Sequence, residues 1–152
     1  MMRYLKNLLV FAVMAMPWTP ALADGDIWIV TDSPHSVSDT VAKLEAIIEK
    51  APPTLMAKID HGANAEKAGM DLGESVLLIF GAPKVGTPIM QANKLAGLML
   101  PARILVYDDG GTTRMAYIDP AAIESQFGTE AAAEQIAQMN KVLGKFTTKA
   151  AE

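Results

Sequence analysis

The chain has 152 residues, no cysteine and a formal net charge of −4 at pH 7. The absence of cysteine excludes disulfides, thiol redox chemistry, a cysteine nucleophile and thiolate metal sites. The modest negative charge argues against nucleic acid and anionic membranes as partners, because both select basic surfaces. A chain of this length is expected to bury one core as a single domain.

The N-terminal segment has the pattern of a secretory signal peptide. Arg3 and Lys6 precede an uninterrupted apolar stretch at 8–16, which is shorter than the roughly 20 residues that a bilayer-spanning helix needs. An Ala-Leu-Ala site follows at 21–23. We therefore predict a leader over 1–23 that is removed by cleavage, and a periplasmic or secreted protein. A retained membrane anchor is the alternative.

Apolar periodicity predicts the elements in the first half of a single domain over 24–145. The run DIWIV indicates a strand. Four apolar residues then share one face of a predicted helix: Val37, Val41, Leu44 and Ile48. TLMAKIDH alternates as a half-buried strand that ends at His61, and ANAEKAGM indicates a short helix. SVLLIF at 75–80 is apolar throughout, which is typical of a central, well-covered strand.

The segment from Gly81 to Thr87, within GAPKVGTPIM, is the strongest candidate for a ligand site. We interpret it as a glycine-rich loop in which Thr87 caps a helix that begins at Pro88. Gly81 and Gly86 can expose backbone N–H groups, Lys84 adds a positive charge, and a helix N-terminus attracts anions. A nucleotide-binding P-loop needs lysine and then serine or threonine after the second glycine, so nucleotide hydrolysis is not expected. The alternative is a strand-to-helix connection whose glycines and prolines serve geometry alone.

A hairpin and two further helices complete the predicted domain. Strand-like runs on either side of Asp-Asp-Gly-Gly indicate antiparallel pairing. Asp119 and Pro120 begin a short helix, and a last helix from Thr129 is predicted to end at Gly144, before a frayed tail over 146–152. Because strands and helices do not alternate strictly and a hairpin is present, we assign the α+β class.

Three segments of the sequence resemble a known family. KIDHGANAEKAGMDL, LLIFGAPKVGTPIMQANKLAGLMLPARILVYDD and YIDPAAI are similar to the bacterial domain-of-unknown-function family 302, over about 27–143. The resemblance implies a TATA-binding-protein-like, two-layer fold with a curved antiparallel sheet backed by helices on one side, and a homodimer. Ala82 departs from the asparagine of many relatives. The family has no established activity, so no catalytic residue is transferred, and the fold does not imply nucleic-acid binding.

Few residues suggest catalysis or metal binding. Asp60 and His61 are neighbours on a predicted strand and point to opposite faces, so we do not expect them to act as a pair. His61 is interpreted either as a general base or as a partly buried structural histidine. The two histidines have no spaced carboxylate cluster beside them, and the methionines are scattered, so we predict no metal site and no cofactor.

Two functions are consistent with these observations. The first is a non-catalytic binding or assembly module that homodimerises and holds a small anionic or carboxylate ligand near Gly81, Lys84, Gly86, Thr87 and His61. The alternative is a small periplasmic enzyme in which His61 is the general base and Lys84 with loop amides stabilises an oxyanion. The enzyme requires His61 and Lys84 to converge on one pocket, and the binding module does not.

Overall fold

The computed structural model describes residues 27–152, and the predicted leader over 1–23 lies outside the described residues. The strands are β1 (Trp28–Ser33), β2 (Thr54–Asp60), β3 (Ser75–Gly81), β4 (Ala102–Asp109) and β5 (Thr112–Ile118). The α-helices are α1 (Val37–Glu49), α2 (His61–Lys67), α3 (Pro83–Ala92), α4 (Ala121–Phe127) and α5 (Ala133–Ala150). Short 3₁₀ helices span Lys94–Leu98 and Glu130–Ala132. Within 27–152, no helix is long and apolar enough to cross a membrane.

The five strands form one antiparallel sheet in the order β1-β5-β4-β3-β2. The predicted hairpin is confirmed, because β4 and β5 pair on either side of Gly110 and Gly111. These glycines have φ values of 64° and 93°, and positive φ at both central positions is what a two-residue hairpin turn of type I′ requires. Asp108 Oδ1 accepts a hydrogen bond of 3.0 Å from the Gly111 N–H, which fixes the turn further.

Helices α1 and α5 cover one face of the sheet and form the core with it. Because strand side chains alternate, β3 directs Val76, Leu78 and Phe80 into this layer, where all three are buried. The predicted apolar face of α1 is buried there too, and Ser36 Oγ caps that helix by accepting a hydrogen bond of 3.0 Å from the Asp39 N–H. The fold is the predicted α+β arrangement of a sheet layer and a helix layer.

The last helix extends beyond its predicted end. It continues through Gly144 to Ala150, so the prediction of a frayed tail is wrong for residues 146–150. Phe146 is 4% exposed, and the centroid of its ring lies 5.7 Å from that of the Phe80 ring. Glycine lowers helix stability by about 1 kcal/mol, and burial of the apolar side chains beyond Gly144 offsets that cost.

The strand β2 is irregular and shorter than predicted. A bulge lies between Leu55 and Ala57, so the simple alternation fails at its start. The strand ends at Asp60, whose Oδ1 caps α2 by accepting a hydrogen bond of 2.8 Å from the Ala63 N–H. His61 is therefore the first residue of a helix and not the last residue of the strand.

Candidate functional site

An apolar cleft of about 280 Å³ lies where β3 runs into α3. Its walls come from the end of β3, the first two turns of α3, the segment just before β4 and the middle of α5. Phe80, Val85 and Val142 are among its apolar side chains, and Thr87 and Gln138 contribute the polar ones. The volume is close to the lower end of the range of about 300–1,000 Å³ that is usual for ligand pockets.

The segment that was predicted to be a loop is helical and lines this cleft. α3 begins at Pro83, not at Pro88, and Ala82 precedes it without a capping side chain. The N–H groups of Val85 and Gly86 both donate to the Ala82 carbonyl, at 2.9 and 3.0 Å. Proline is well suited to the first helical position, but it has no N–H. The helix start therefore offers an anion fewer donors than the predicted loop would.

The predicted site residues of this segment fall in two groups. Gly81, Gly86 and Thr87 line the cleft, and neither glycine has a positive φ. Lys84 is exposed and does not line the cleft. It lies between Pro83 and Val85, which both do. The three lining residues are thus brought together, with Lys84 beside them on the surface of α3.

His61 lies at the opposite end of the sheet. Strand β2 pairs with β3 from Thr54 opposite Gly81, at the cleft, to Asp60 opposite Val76, and His61 follows. Six residues of strand at about 3.3 Å each separate the two ends by roughly 20 Å. His61 and the cleft residues consequently cannot contact one small molecule, and the convergence that the enzyme hypothesis requires is not present.

The sequence around His61 has a structural explanation. A Cβ atom on Gly62 would stand 2.5 Å from the backbone oxygen of Gly73, a distance that real Cβ atoms essentially never show. Gly73 itself has a φ of 73°, and its N–H donates a hydrogen bond of 3.0 Å to Asp71 Oδ1. Together with the Asp60 cap, these glycines shape the connection from β2 through α2 to β3.

Three methionines that are distant in the sequence meet at the cleft. They are Met56 of β2, Met90 of α3 and Met139 of α5. Met56 is 54% exposed at the mouth, whereas Met139 is 9% exposed. Sequence spacing could not reveal this group, because each methionine comes from a different element. Unbranched thioether side chains adapt their shape to a ligand, which suits them to line a binding site.

Tyr117 of β5 is a buried titratable residue on the helix-covered face of the sheet. Burial, and to a smaller extent the Asp119 carboxylate, raises the pKa of the Tyr117 hydroxyl above its ordinary value of 10.0. The phenol therefore stays neutral at physiological pH and is a poor base. Among residues 27–152, no three His, Asp or Glu side chains are grouped so that they could hold a metal ion.

Replacing Gly86 with alanine is expected to raise the free energy of unfolding by about 0.5–1 kcal/mol. Gly86 lies within α3 and has no positive φ, and an added Cβ would meet Leu100 Cδ1 at an ordinary 3.9 Å. Urea denaturation of the wild type and Gly86→Ala measures the difference. Destabilisation by more than about 0.5 kcal/mol would instead indicate the conformational freedom that the loop interpretation requires.

Comparison with known proteins finds a family model that matches most of the chain and solved structures of the same fold. The family model described as "Domain of unknown function DUF302" matches residues 29–146. A crystal structure of an uncharacterized conserved DUF302 protein from Bacillus stearothermophilus is similar to this chain with a TM-score of 0.74 and 20% sequence identity. The similarity covers 82% of this chain and 98% of that chain.

Two of the curated relatives that match this chain do so over a shorter region. They are named fluoride-specific ion channel FluC 1, in Brucella suis biovar 1 (strain 1330) and in Brucella abortus biovar 1 (strain 9-941). Each is 37% identical over 94 residues, which is 61% of this chain but 37% and 35% of the two relatives. The chain therefore spans little more than a third of the length of the curated relatives that it matches.

Proposed function

This chain belongs to the DUF302 family, and we propose that it is an exported, non-catalytic module that binds a small ligand and assembles as a homodimer. The observation that carries the proposal is the apolar cleft between α3 and α5. Ligand sites are typically concave and largely apolar, with a few polar groups that orient the ligand. Export rests on the signal-peptide pattern over 1–23.

The chemistry of the cleft favours a short apolar molecule that carries one carboxylate. Apolar walls gain from covering an alkyl or aromatic body, and the side chains of Thr87 and Gln138 can accept or donate one hydrogen bond each. Lys84 is exposed between two lining residues, so its flexible side chain can bring an ammonium group to a carboxylate at the mouth. In this proposal, the carboxylate of the ligand lies at the rim of the cleft, beside Lys84.

The alternative of a small enzyme has weaker support. Its proposed base, His61, is roughly 20 Å of strand away from the cleft. A general base must come within hydrogen-bond reach of the proton that it abstracts, or one water molecule away. A substrate small enough to fit the cleft cannot lie within hydrogen-bond reach of His61 and beside Lys84 at the same time.

The curated relatives support an assembly role. The matched region is little more than a third of each protein named as a fluoride-specific ion channel, so the domain occurs there beside other sequence. This is the behaviour of a module that works together with a further domain or chain. We do not extend fluoride binding to this chain, because an apolar cleft offers few donors to replace the hydration of a small anion.

Octanoate and 1-octanol test the ligand class, because they share an alkyl chain and differ in charge. Both are expected to raise the melting temperature of the wild type with increasing concentration, by an amount equivalent to about 2.7 kcal/mol at a hundredfold excess over the dissociation constant. Gly86→Leu places a large side chain in the wall of the cleft, so it should diminish both shifts. Lys84→Ala should reduce the octanoate shift to that of octanol and leave the octanol shift unchanged.

Lys94→Ala is the matched control for Lys84→Ala, since Lys94 is exposed just after α3 and does not line the cleft. Equal octanoate shifts in the two lysine variants would show that Lys84 does not contact a carboxylate of the ligand. Undiminished shifts in Gly86→Leu would show that the probes do not bind in the cleft. A shift with Ag(I), a soft ion that prefers thioether ligands, and with neither eight-carbon probe would assign the methionines to a metal and overturn the organic ligand.

A further inference from the structure

Met56 is the most exposed of the three methionines that line the cleft. It is 54% exposed, whereas Met139 is 9% exposed. The sulfur of Met90 lies against Gly97, where an added Cβ atom would stand 3.3 Å from Met90 Sδ. Among the cleft methionines, Met56 is thus the side chain that a dissolved oxidant reaches most easily. The chain has no cysteine, so oxidation of sulfur in this protein is oxidation of a thioether.

An irregularity of β2 directs Met56 to the cleft. This strand is at the edge of the sheet, and its register with β3 shifts between Leu55 and Ala57, so that Met56 is the extra residue of a bulge. A bulge re-aims a side chain and is common next to functional sites. Here Met56 Cε lies 3.6 Å from the position that a Cβ atom on Gly81 would occupy, in the wall of the cleft. The side chain is therefore both accessible to solvent and part of the candidate site.

Oxidation of Met56 changes the mouth of the cleft from apolar to polar. A lone pair of the sulfur attacks one oxygen of a peroxide, the O–O bond breaks, an S–O bond forms, and the second oxygen leaves as water after proton transfer. The sulfur loses two electrons and the peroxide gains them. The product is a polar, chiral sulfoxide, which methionine sulfoxide reductases convert back to the thioether. An alkyl ligand that covers the sulfoxide oxygen removes its hydration without replacing the hydrogen bonds, which disfavours binding.

We propose that Met56 is a reversible oxidation site that controls access to the cleft, where the thioether admits an apolar ligand and the sulfoxide disfavours it. The inference rests on the proposed binding of an apolar ligand in the cleft, and it adds the regulation of that binding. It has two consequences. Oxidation of Met56 weakens binding, and a bound ligand protects Met56 from oxidation because it covers the same side chain.

Calorimetric titration with 1-octanol before and after treatment with hydrogen peroxide tests the first consequence. 1-Octanol is uncharged, so the result does not depend on an ion pair with Lys84. Peptide mass spectrometry selects the treatment after which Met56 carries one added oxygen and Met90 and Met139 carry none. The dissociation constant of this sample should rise by about tenfold. Incubation with a methionine sulfoxide reductase should restore the original value.

Met70 provides the matched control. It is 62% exposed in the connection from α2 to β3, at the opposite end of the sheet from the cleft. Met70→Leu should lose affinity on oxidation as the wild type does. Met56→Leu introduces a side chain of similar volume that cannot form a sulfoxide. Peroxide should leave the dissociation constant of Met56→Leu at the value of the same variant before treatment.

Ligand protection tests the second consequence. Saturating 1-octanol should slow the oxidation of Met56 several-fold and leave the rate at Met70 unchanged. Equal dissociation constants before and after oxidation of Met56, or equal oxidation rates of Met56 with and without 1-octanol, would overturn this inference alone. A loss of affinity in peroxide-treated Met56→Leu would place the sensitive group elsewhere and would also overturn it. If the untreated wild type does not bind 1-octanol, the proposed function fails first, and the inference fails with it.

Discussion

Replacing Phe146 with alanine is expected to lower the free energy of unfolding by about 3–5 kcal/mol. Phe146 is 4% exposed, and its ring packs with that of Phe80, which is 1% exposed, at a centroid distance of 5.7 Å. The truncation removes buried apolar surface and leaves a cavity between α5 and β3 that the surrounding side chains fill only in part. Equilibrium denaturation in urea measures the change.

Thr148→Ala is the matched control, because Thr148 is exposed on the same turn of α5. It should change the free energy of unfolding by no more than about 0.5 kcal/mol. If Phe146→Ala has an effect as small as this, the C-terminal segment does not contribute to the core, and the sequence-based expectation of a frayed tail is right.

Gly62→Ala is expected to cost at least about 2 kcal/mol, because it overpacks a contact between backbone segments. The new Cβ would stand 2.5 Å from the Gly73 oxygen and 3.4 Å from the Ser75 nitrogen. Backbone atoms cannot rotate away as a side chain can, so the connection from β2 to β3 must move. Thermal and urea denaturation both measure the loss.

Gly86→Ala is the appropriate comparison for Gly62→Ala, because the same substitution is made within a helix where space is available. The two variants should differ in sign, with Gly86→Ala stabilising and Gly62→Ala destabilising the protein. Similar small effects at both positions would show that the β2–β3 connection accommodates a side chain, and the structural explanation of the Asp-His-Gly motif would then fail.

The parts of the fold that the sequence predicts correctly are those in which local and tertiary preferences agree. The two glycines of Asp-Asp-Gly-Gly adopt the positive φ values of the hairpin turn. The strands that this turn joins pair with each other, and each buries every second residue. Ser36 caps α1, and the apolar face of the same helix packs on the sheet. In such segments a short window of sequence contains the determining interactions.

The start of α3 could not be predicted because two local signals compete. Both Pro83 and Pro88 fit the first position of a helix, and Thr87 is the better cap. Starting at Pro83 leaves the carbonyl of Lys84 without its helical donor, since Pro88 has no N–H. Burial of Ile89, which is 0% exposed, accompanies this earlier start. Packing of α3 on its neighbours outweighs the lost bond, and that packing is not visible in the local sequence.

The candidate site shows the same limit. Gly81, Gly86 and Thr87 are predicted from one continuous segment, and they line one cleft. His61 is close to none of them, because the direction of β2 places it at the far end of the sheet. The methionines that complete the cleft come from three elements, and their meeting depends on strand order and helix packing. Residues that lie together through topology alone leave no spacing pattern in the sequence.

Binding in the cleft is tested most directly by amide chemical shifts in a titration of ¹⁵N-labelled protein with octanoate. We predict saturable shifts in the segments 80–90, 100–102 and 138–143, which form its walls, and an unperturbed amide at His61. Shifts that centre on His61 and α2, or that spread over the surface without saturation, would contradict a ligand site between α3 and α5.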